Sequence, residues 1–152
     1  MSVPFGANKM ELSELETVYQ YEHEQEKIVL NDPKKVFEQT KDLRNWTKEW
    51  FVVFYLATNL SIISREIISI GTLNSCIIHP REIFRTAIRR NANSIIIAHN
   101  HPGGNTDPST EDIKITQQLK KAGEILDIPL LDHVIVTPTA YTSLKNTNPS
   151  FL

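Results

Sequence analysis

The sequence predicts an α/β (α+β) fold, a mixed β-sheet with helices packed on it. Three observations lead there. Short continuous runs of β-branched and aromatic residues, at 50–57 and 94–98, have the character of strands buried on both faces. Segments with capping residues and apolar positions three and four apart stand between them as helices. The length, 152 residues, suffices for one domain with a real core and is too short for an eight-fold α/β barrel.

Taken in order, Asn31-Asp32-Pro33 starts a helix, because Asp32 suits the cap and Pro33 the first helical position. Val36, Phe37, Leu43 and Trp46 give an imperfect helical spacing behind it. Glu49 leads into the first strand, Thr58-Asn59 turns the chain, and 61–70 form a second strand ended by Gly71 and Asn74. Cys76-Ile77-Ile78 reads as a short strand, and His79-Pro80 opens a helix to about Arg90 with Phe84, Ala87 and Ile88 on its apolar face. The third strand, 94–98, runs into a polar loop rich in Gly and Pro at 99–108. Ser109 begins a helix to about Asp127, and 130–136 form a last strand. Beyond Pro138 the pattern weakens.

Composition narrows the function classes. Hydrophobic residues make up 40% and charged ones 22%, which excludes a disordered chain, and a net charge of −2 excludes a uniformly basic nucleic-acid binder. The single cysteine, Cys76, excludes an intrachain disulfide and any multi-Cys zinc site. The first residues lack the apolar core of a signal peptide, and the longest apolar run is far short of a membrane span, so a cytoplasmic setting without membrane contact is expected. Charge is unevenly placed. Residues 11–26 hold six Glu and no Lys or Arg, whereas 27–152 carry 15 bases against 12 acids. The expected organisation is an acidic leader at 1–26 and one domain at 27–152. The leader reads as a solvated arm or as an arm that covers a basic surface.

The chemistry concentrates at residues 99–112, HNHPGGNTDPSTED. His99 and His101 stand two apart at the mouth of a buried strand, so with strand geometry both imidazoles share a face. On the following helix Asp112, Ile115, Leu119, Ala122 and Leu126 share a face, which puts a carboxylate at the head of an apolar stripe. A buried carboxylate needs a partner or a metal. Two His and one carboxylate suit a catalytic zinc with a place left for water. The competing reading makes Ser109-x-x-Asp112 a capping box and the two His ordinary loop residues. The readings are compatible, since Ser109 can cap and still present its hydroxyl.

His-x-His, seven residues, then Ser-x-x-Asp resembles the signature of the JAMM (MPN+) metalloprotease domain. The RadC-type bacterial branch of that family is resembled further by Gly71-Thr72-Leu73-Asn74, His79-Pro80-Arg81-Glu82, His99-Asn100-His101-Pro102 and Leu131-Asp132-His133. The resemblance covers about 27–145. It departs at Gly103, where the family commonly has Ser, and the helix-hairpin-helix region that precedes the domain in longer members is not seen, which weakens a DNA-repair inference. The resemblance implies a cytidine-deaminase-like α-β-α sandwich with Zn²⁺ held by His99, His101 and Asp112. It implies a water as fourth ligand with a pKa lowered to about 7, a catalytic Glu, and Ser109 on the oxyanion. Glu49, just before the first core strand, stands where the family's catalytic Glu stands; Glu66 on the second strand is the rival.

Other residues carry weaker signals. Arg81, Arg85 and Arg89, with Arg90 beside them, form the one basic stripe, which suits DNA phosphates, an acidic protein, or plain solvent. Adjacent strand residues Asp132 and His133 face opposite ways; Asp132 could orient a ligand His, or the pair could be structural. His79 reads as a helix-start residue, His23 as exposed, and Cys76 as a small buried hydrophobe. A nucleobase deaminase is excluded, since it needs His-x-Glu and a Cys pair. The function expected is a zinc-dependent hydrolase of peptide or isopeptide bonds. The alternatives are a DNA-associated repair protein or metal-dependent nuclease using the arginine stripe, and a non-catalytic interaction domain.

Overall fold

The computed structural model describes residues 27–71 and 78–152. The acidic leader with His23, the tripeptide Thr72-Leu73-Asn74, and the Cys76-Ile77 part of the expected short strand lie outside the described residues.

Among the described residues the elements follow as α1 (Pro33–Glu38), β1 (Trp50–Leu56), β2 (Ile62–Ile70), α2 (Pro80–Arg89), β3 (Ser94–Asn100), α3 (Thr110–Leu126), β4 (Leu130–Val136), β5 (Tyr141–Ser143) and α4 (Leu144–Thr147), with a closing 3₁₀ turn at Pro149–Phe151. The strands form one mixed sheet in the order β2-β1-β3-β4-β5. Only β3 and β4 run parallel, joined by α3 as the crossover; the other neighbours are antiparallel.

Every residue of β1 and β3 is buried, as their unbroken apolar runs require, because helices cover both faces of the sheet. Phe51, Val53, Tyr55, Ile95 and Ile97 face α2 and α3, where Ile83, Phe84, Ala87, Ile115 and Leu119 close the core. Trp50, Val52, Phe54, Leu56, Ile96 and Ala98 face the other way, onto Leu30, Val36 and Leu43 around α1. The result is the mixed sheet with packed helices that the patterning predicts, in the three-layered α-β-α arrangement that the family resemblance implies.

Three details differ from expectation for local reasons. The first helix is only six residues long. Asp32 caps it through Lys34 N (2.7 Å), but the Thr40 hydroxyl then donates to Phe37 O (2.9 Å) and the chain continues in turns. Leu43 is still buried, with its carbonyl accepting the Trp50 indole at 2.6 Å, while Trp46 is exposed. On α3, Leu126 is exposed as well. Asp127 takes a left-handed φ of 56°, Ile128 N donates back to Gly123 O (2.9 Å), and Ile128 enters the core instead. The tail beyond Pro138 is ordered by a side chain it does not contain. Asp132 Oδ2 accepts from the Ser143 hydroxyl (2.6 Å) and Oδ1 from Lys145 N (3.2 Å), fastening β5 and α4 to β4.

Close packing of α3 makes Gly123 sensitive. A Cβ there would stand 2.5 Å from Ile128 O and 3.3 Å from Phe84 Cζ. Gly123→Ala is expected to destabilise by about 1–3 kcal/mol through overpacking, against alanine's advantage in helix propensity. Urea unfolding reads it as a lowered midpoint. Among the described residues no helix is long and apolar enough to cross a membrane.

Candidate metal centre

Strand register assembles the centre. β3 extends two residues beyond its apolar run, so His99 and Asn100 belong to the strand and not to the loop, and His101 N still donates to Val136 O (2.8 Å). His99 lies opposite Phe51 of β1. It therefore faces the side that α2 and α3 cover, His101 shares that side, and continuing the register sets Glu49 across from His101. Asp112 heads the buried stripe of α3.

These placements bring the three expected ligands together. His99 Nε2 and His101 Nε2 are 2.8 Å apart. Asp112 Oδ1 lies 3.0 Å from His99 Nε2 and Oδ2 lies 3.2 Å from His101 Nε2. Their ligand atoms all fall within 4.8 Å of one another, a group that could hold a metal ion.

Hydrogen-bond accounting shows why the group fits a cation. His101 Nδ1 is 2.7 Å from Asn105 O, and a carbonyl only accepts, so in the neutral ring Nδ1 carries the proton and Nε2 is bare. The turn that presents this carbonyl passes through Gly104 at φ 86°, a left-handed position that suits glycine; Gly103 has open space around it. Asp112 completes a capping box: Oδ2 accepts from Ser109 N (2.8 Å) and Asp112 N donates to Ser109 Oγ (3.1 Å). That leaves Oδ1 buried with no hydrogen-bond donor among the described residues; His99 Nε2 is near but not aligned as one. The capping box is present, and it leaves the other oxygen of the same carboxylate without a donor, so capping and metal binding are compatible. Bare nitrogen and oxygen lone pairs converging in a buried place repel one another unless a cation stands between them. A His₂-carboxylate set suits a divalent transition metal with open positions.

The Asp112 carboxylate and the His101 imidazole shift one another. Burial alone would raise the Asp112 carboxyl, but His101 and His99 more than reverse it and hold it far below the usual carboxylate range. The Asp112 carboxylate raises His101 against the opposing effect of burial, and Glu49 adds a smaller pull in the same direction.

Two groups support the centre beyond the sequence expectation, which gives Asn100 no role of its own and treats His133 as structural beside Asp132. Asn100, wholly buried, points to the side opposite the two His. Its Oδ1 accepts from Trp50 N (2.7 Å), and its Nδ2 donates to Lys48 O (3.0 Å) and Trp46 O (3.4 Å). Gly71 N donates to Glu49 O at 2.7 Å, with Gly71 at φ 124°. The backbone on both sides of Glu49 is therefore held in place. The second group is His133, whose Nε2 is 2.7 Å from His99 Nδ1 and whose Nδ1 is 2.6 Å from the Thr116 hydroxyl. Burial pushes the His133 imidazole well down. A usable signal existed for both: a polar residue inside a fully buried strand needs an internal partner.

The remaining candidates fall elsewhere. Asp132 orients no ligand His, contrary to one expectation; its carboxylate bonds Ser143, Lys145 N and His133 N, and the ring that meets His99 belongs to His133. Glu66 pairs with Val53 and lines a separate cavity of about 470 Å³ with Ser64, Arg65, Thr86, Arg89 and Arg90. Arg81, Arg85 and Arg89 are exposed on α2. His79 is the N-cap of α2 and makes no side-chain capping bond.

Comparison with known proteins adds two findings. A family model described as RadC-like JAB domain matches residues 30–149. A UPF0758 protein of Desulforamulus reducens is 51% identical over 106 residues, covering 70% of this chain and 47% of its own length. A UPF0758 protein of Methanosarcina mazei is 37% identical over 149 residues, covering 93% of this chain and 65% of its own length. One from Chlorobium chlorochromatii is 52% identical over 99 residues, 65% of this chain and 45% of that protein. The chain thus spans about half to two-thirds of the length of these relatives.

Proposed function

Because the chain belongs to the RadC-like JAB domain family, we propose that its clustered His99, His101 and Asp112 hold Zn²⁺ and that the domain hydrolyses peptide or isopeptide bonds. The observation that carries this reading is the convergence of His99 Nε2, His101 Nε2 and the donor-less Asp112 Oδ1 at one point. Zinc, when bound, supplies Lewis acidity, polarising a carbonyl and lowering the pKa of water.

The chain's own residues supply the rest. Glu49 takes a proton from the attacking water and delivers it to the leaving amine. Its place opposite His101, and its influence on that ring, support it over Glu66, which lies in the other cavity. Ser109 uses its hydroxyl oxygen to cap α3 and keeps its proton for the oxyanion of the tetrahedral intermediate. Being exposed at the head of α3, it is open to a substrate carbonyl.

Metal analysis of wild type beside Asp112→Asn tests the reading, together with hydrolysis of peptide, isopeptide and DNA substrates with and without chelator. The asparagine oxygen still accepts from Ser109 N, so the helix is expected to survive while the charge is lost. Wild type should hold about one zinc per chain and cleave a peptide or isopeptide bond until chelated. The variant should lose most of its zinc and its turnover. Equal zinc in both proteins, or chelator-sensitive cleavage of DNA alone, would overturn the proposal.

A further inference from the structure

We propose that Thr116 and His133 form a positioning pair that sets the tautomer of His99, so that its Nε2 is left bare for the metal. The inference rests on the metal reading above and extends it to two residues that touch no metal.

The direction of each bond follows from the one before. Asp112 O is a carbonyl and can only accept, so at 2.6 Å the single proton of the Thr116 hydroxyl points at it. Thr116 Oγ1 has only lone pairs left for His133 Nδ1, also at 2.6 Å, and that nitrogen must donate. His133 is wholly buried, with a hydroxyl at one ring nitrogen and an imidazole at the other and no anion at either, so it carries one proton and its Nε2 is bare. At 2.7 Å from it, His99 Nδ1 must be the donor, and His99 Nε2 is bare in turn. That atom lies 3.0 Å from Asp112 Oδ1. The chain of bonds begins on the backbone of Asp112 and ends facing its side chain.

Reversing any link places a proton on His99 Nε2 and removes a ligand. Phe51 packs against both rings, stacked on His99 at 6.3 Å and edge-on to His133 at 6.0 Å between centroids, and the two imidazoles are tilted 53° to each other. Ligand histidines commonly donate their second nitrogen to a carboxylate or a carbonyl. Here a second imidazole takes that place, and an imidazole accepts only while its own far nitrogen is kept protonated. Thr116 does that work, which explains a hydroxyl on the buried stripe of α3 beside Ile115 and Leu119.

The test uses the full chain, wild type, Thr116→Val and Thr116→Ser, near pH 8. Long-range ¹H–¹⁵N spectra read each imidazole tautomer directly, and chelator competition reads zinc affinity. Wild type should show His133 and His99 protonated at Nδ1, whereas an imidazole in water prefers the other tautomer. Thr116→Val should lose that pattern at His133 and bind zinc about 10–100-fold more weakly, while Thr116→Ser restores both. His133 protonated at Nε2 in wild type, or wild-type zinc affinity in a folded Thr116→Val, would overturn the proposal. If Thr116→Val fails to fold, the wild-type spectrum and Thr116→Ser still decide it. Failure of the peptidase reading alone would appear differently: the tautomers and the affinity series hold, and no peptide is cleaved.

Discussion

Glu49→Gln is expected to keep its zinc and lose about 10²–10⁴-fold in peptide turnover, the usual worth of a positioned general base. Glu49 follows the segment that Asn100 clamps, its carbonyl is held by Gly71 N, and the register sets it across from His101. Its carboxylate is half-buried at the rim of the centre and is not one of the converging ligand atoms. Replacing one oxygen by an amide nitrogen therefore leaves the ligand set intact and removes only the proton acceptor. Parallel measurement of zinc content and kcat separates the two effects. Full turnover in Glu49→Gln would show that Glu49 is not the proton acceptor.

Asn100→Ala should damage the same reaction from the opposite side of the sheet. The side chain is wholly buried, and its loss strands Trp50 N inside the core and frees the carbonyls of Lys48 and Trp46. Unsatisfied buried groups of this kind cost about 2–3 kcal/mol in total. The larger expected effect is on rate. The segment before β1 is no longer tied to the strand that carries His99, and a displacement near 1 Å of a reacting group can cost about 100-fold. Zinc content should hold, because the Asn100 side chain points away from the ligand atoms and bonds only the segment before and at the start of β1. Asn100→Asp should be worse than its small change in shape implies, since a carboxylate would face the Lys48 and Trp46 carbonyls that now accept from Nδ2. Wild-type kcat in a folded Asn100→Ala would show that Glu49 does not depend on this clamp.

The parts of the fold legible in the sequence are those governed by local pattern. The apolar runs at 50–56 and 94–98 are the buried strands they resemble, because a run with no alternation has no face to give to water. The ends of α3 follow from Ser109 and from the stripe beginning at Asp112. The grouping of His99, His101 and Asp112 was legible for the same reason, since spacing by two on a strand and by three and four on a helix fixes which side chains share a face. Supporting contacts were not legible. Asn100 meets a segment 50 residues away and His133 meets His99 across 34, and pairings at such separations depend on strand order, which periodicity does not encode. The same limit explains the swap between neighbours on β4: alternation separates Asp132 from His133 but does not say which of them faces β3's ligand. Trp46 and Leu126 lie where single turns overrule a helical spacing.

The divided duty of Asp112 bears on how such a domain drifts over generations. One oxygen holds the first turn of α3 and lies beside His101, and the other faces His99 with no hydrogen-bond donor among the described residues, so the charge they share serves the imidazoles as well as the helix. A change to Asn at 112 preserves the first task and abolishes the second. A descendant freed from selection for hydrolysis could therefore lose its metal in one step without unfolding, and survive as a scaffold of the same shape. Loss of Ser109 would instead strip the cap and the oxyanion donor together. Inactive relatives of this architecture should thus retain a hydrogen-bonding side chain at the head of the helix more often than they retain the carboxylate.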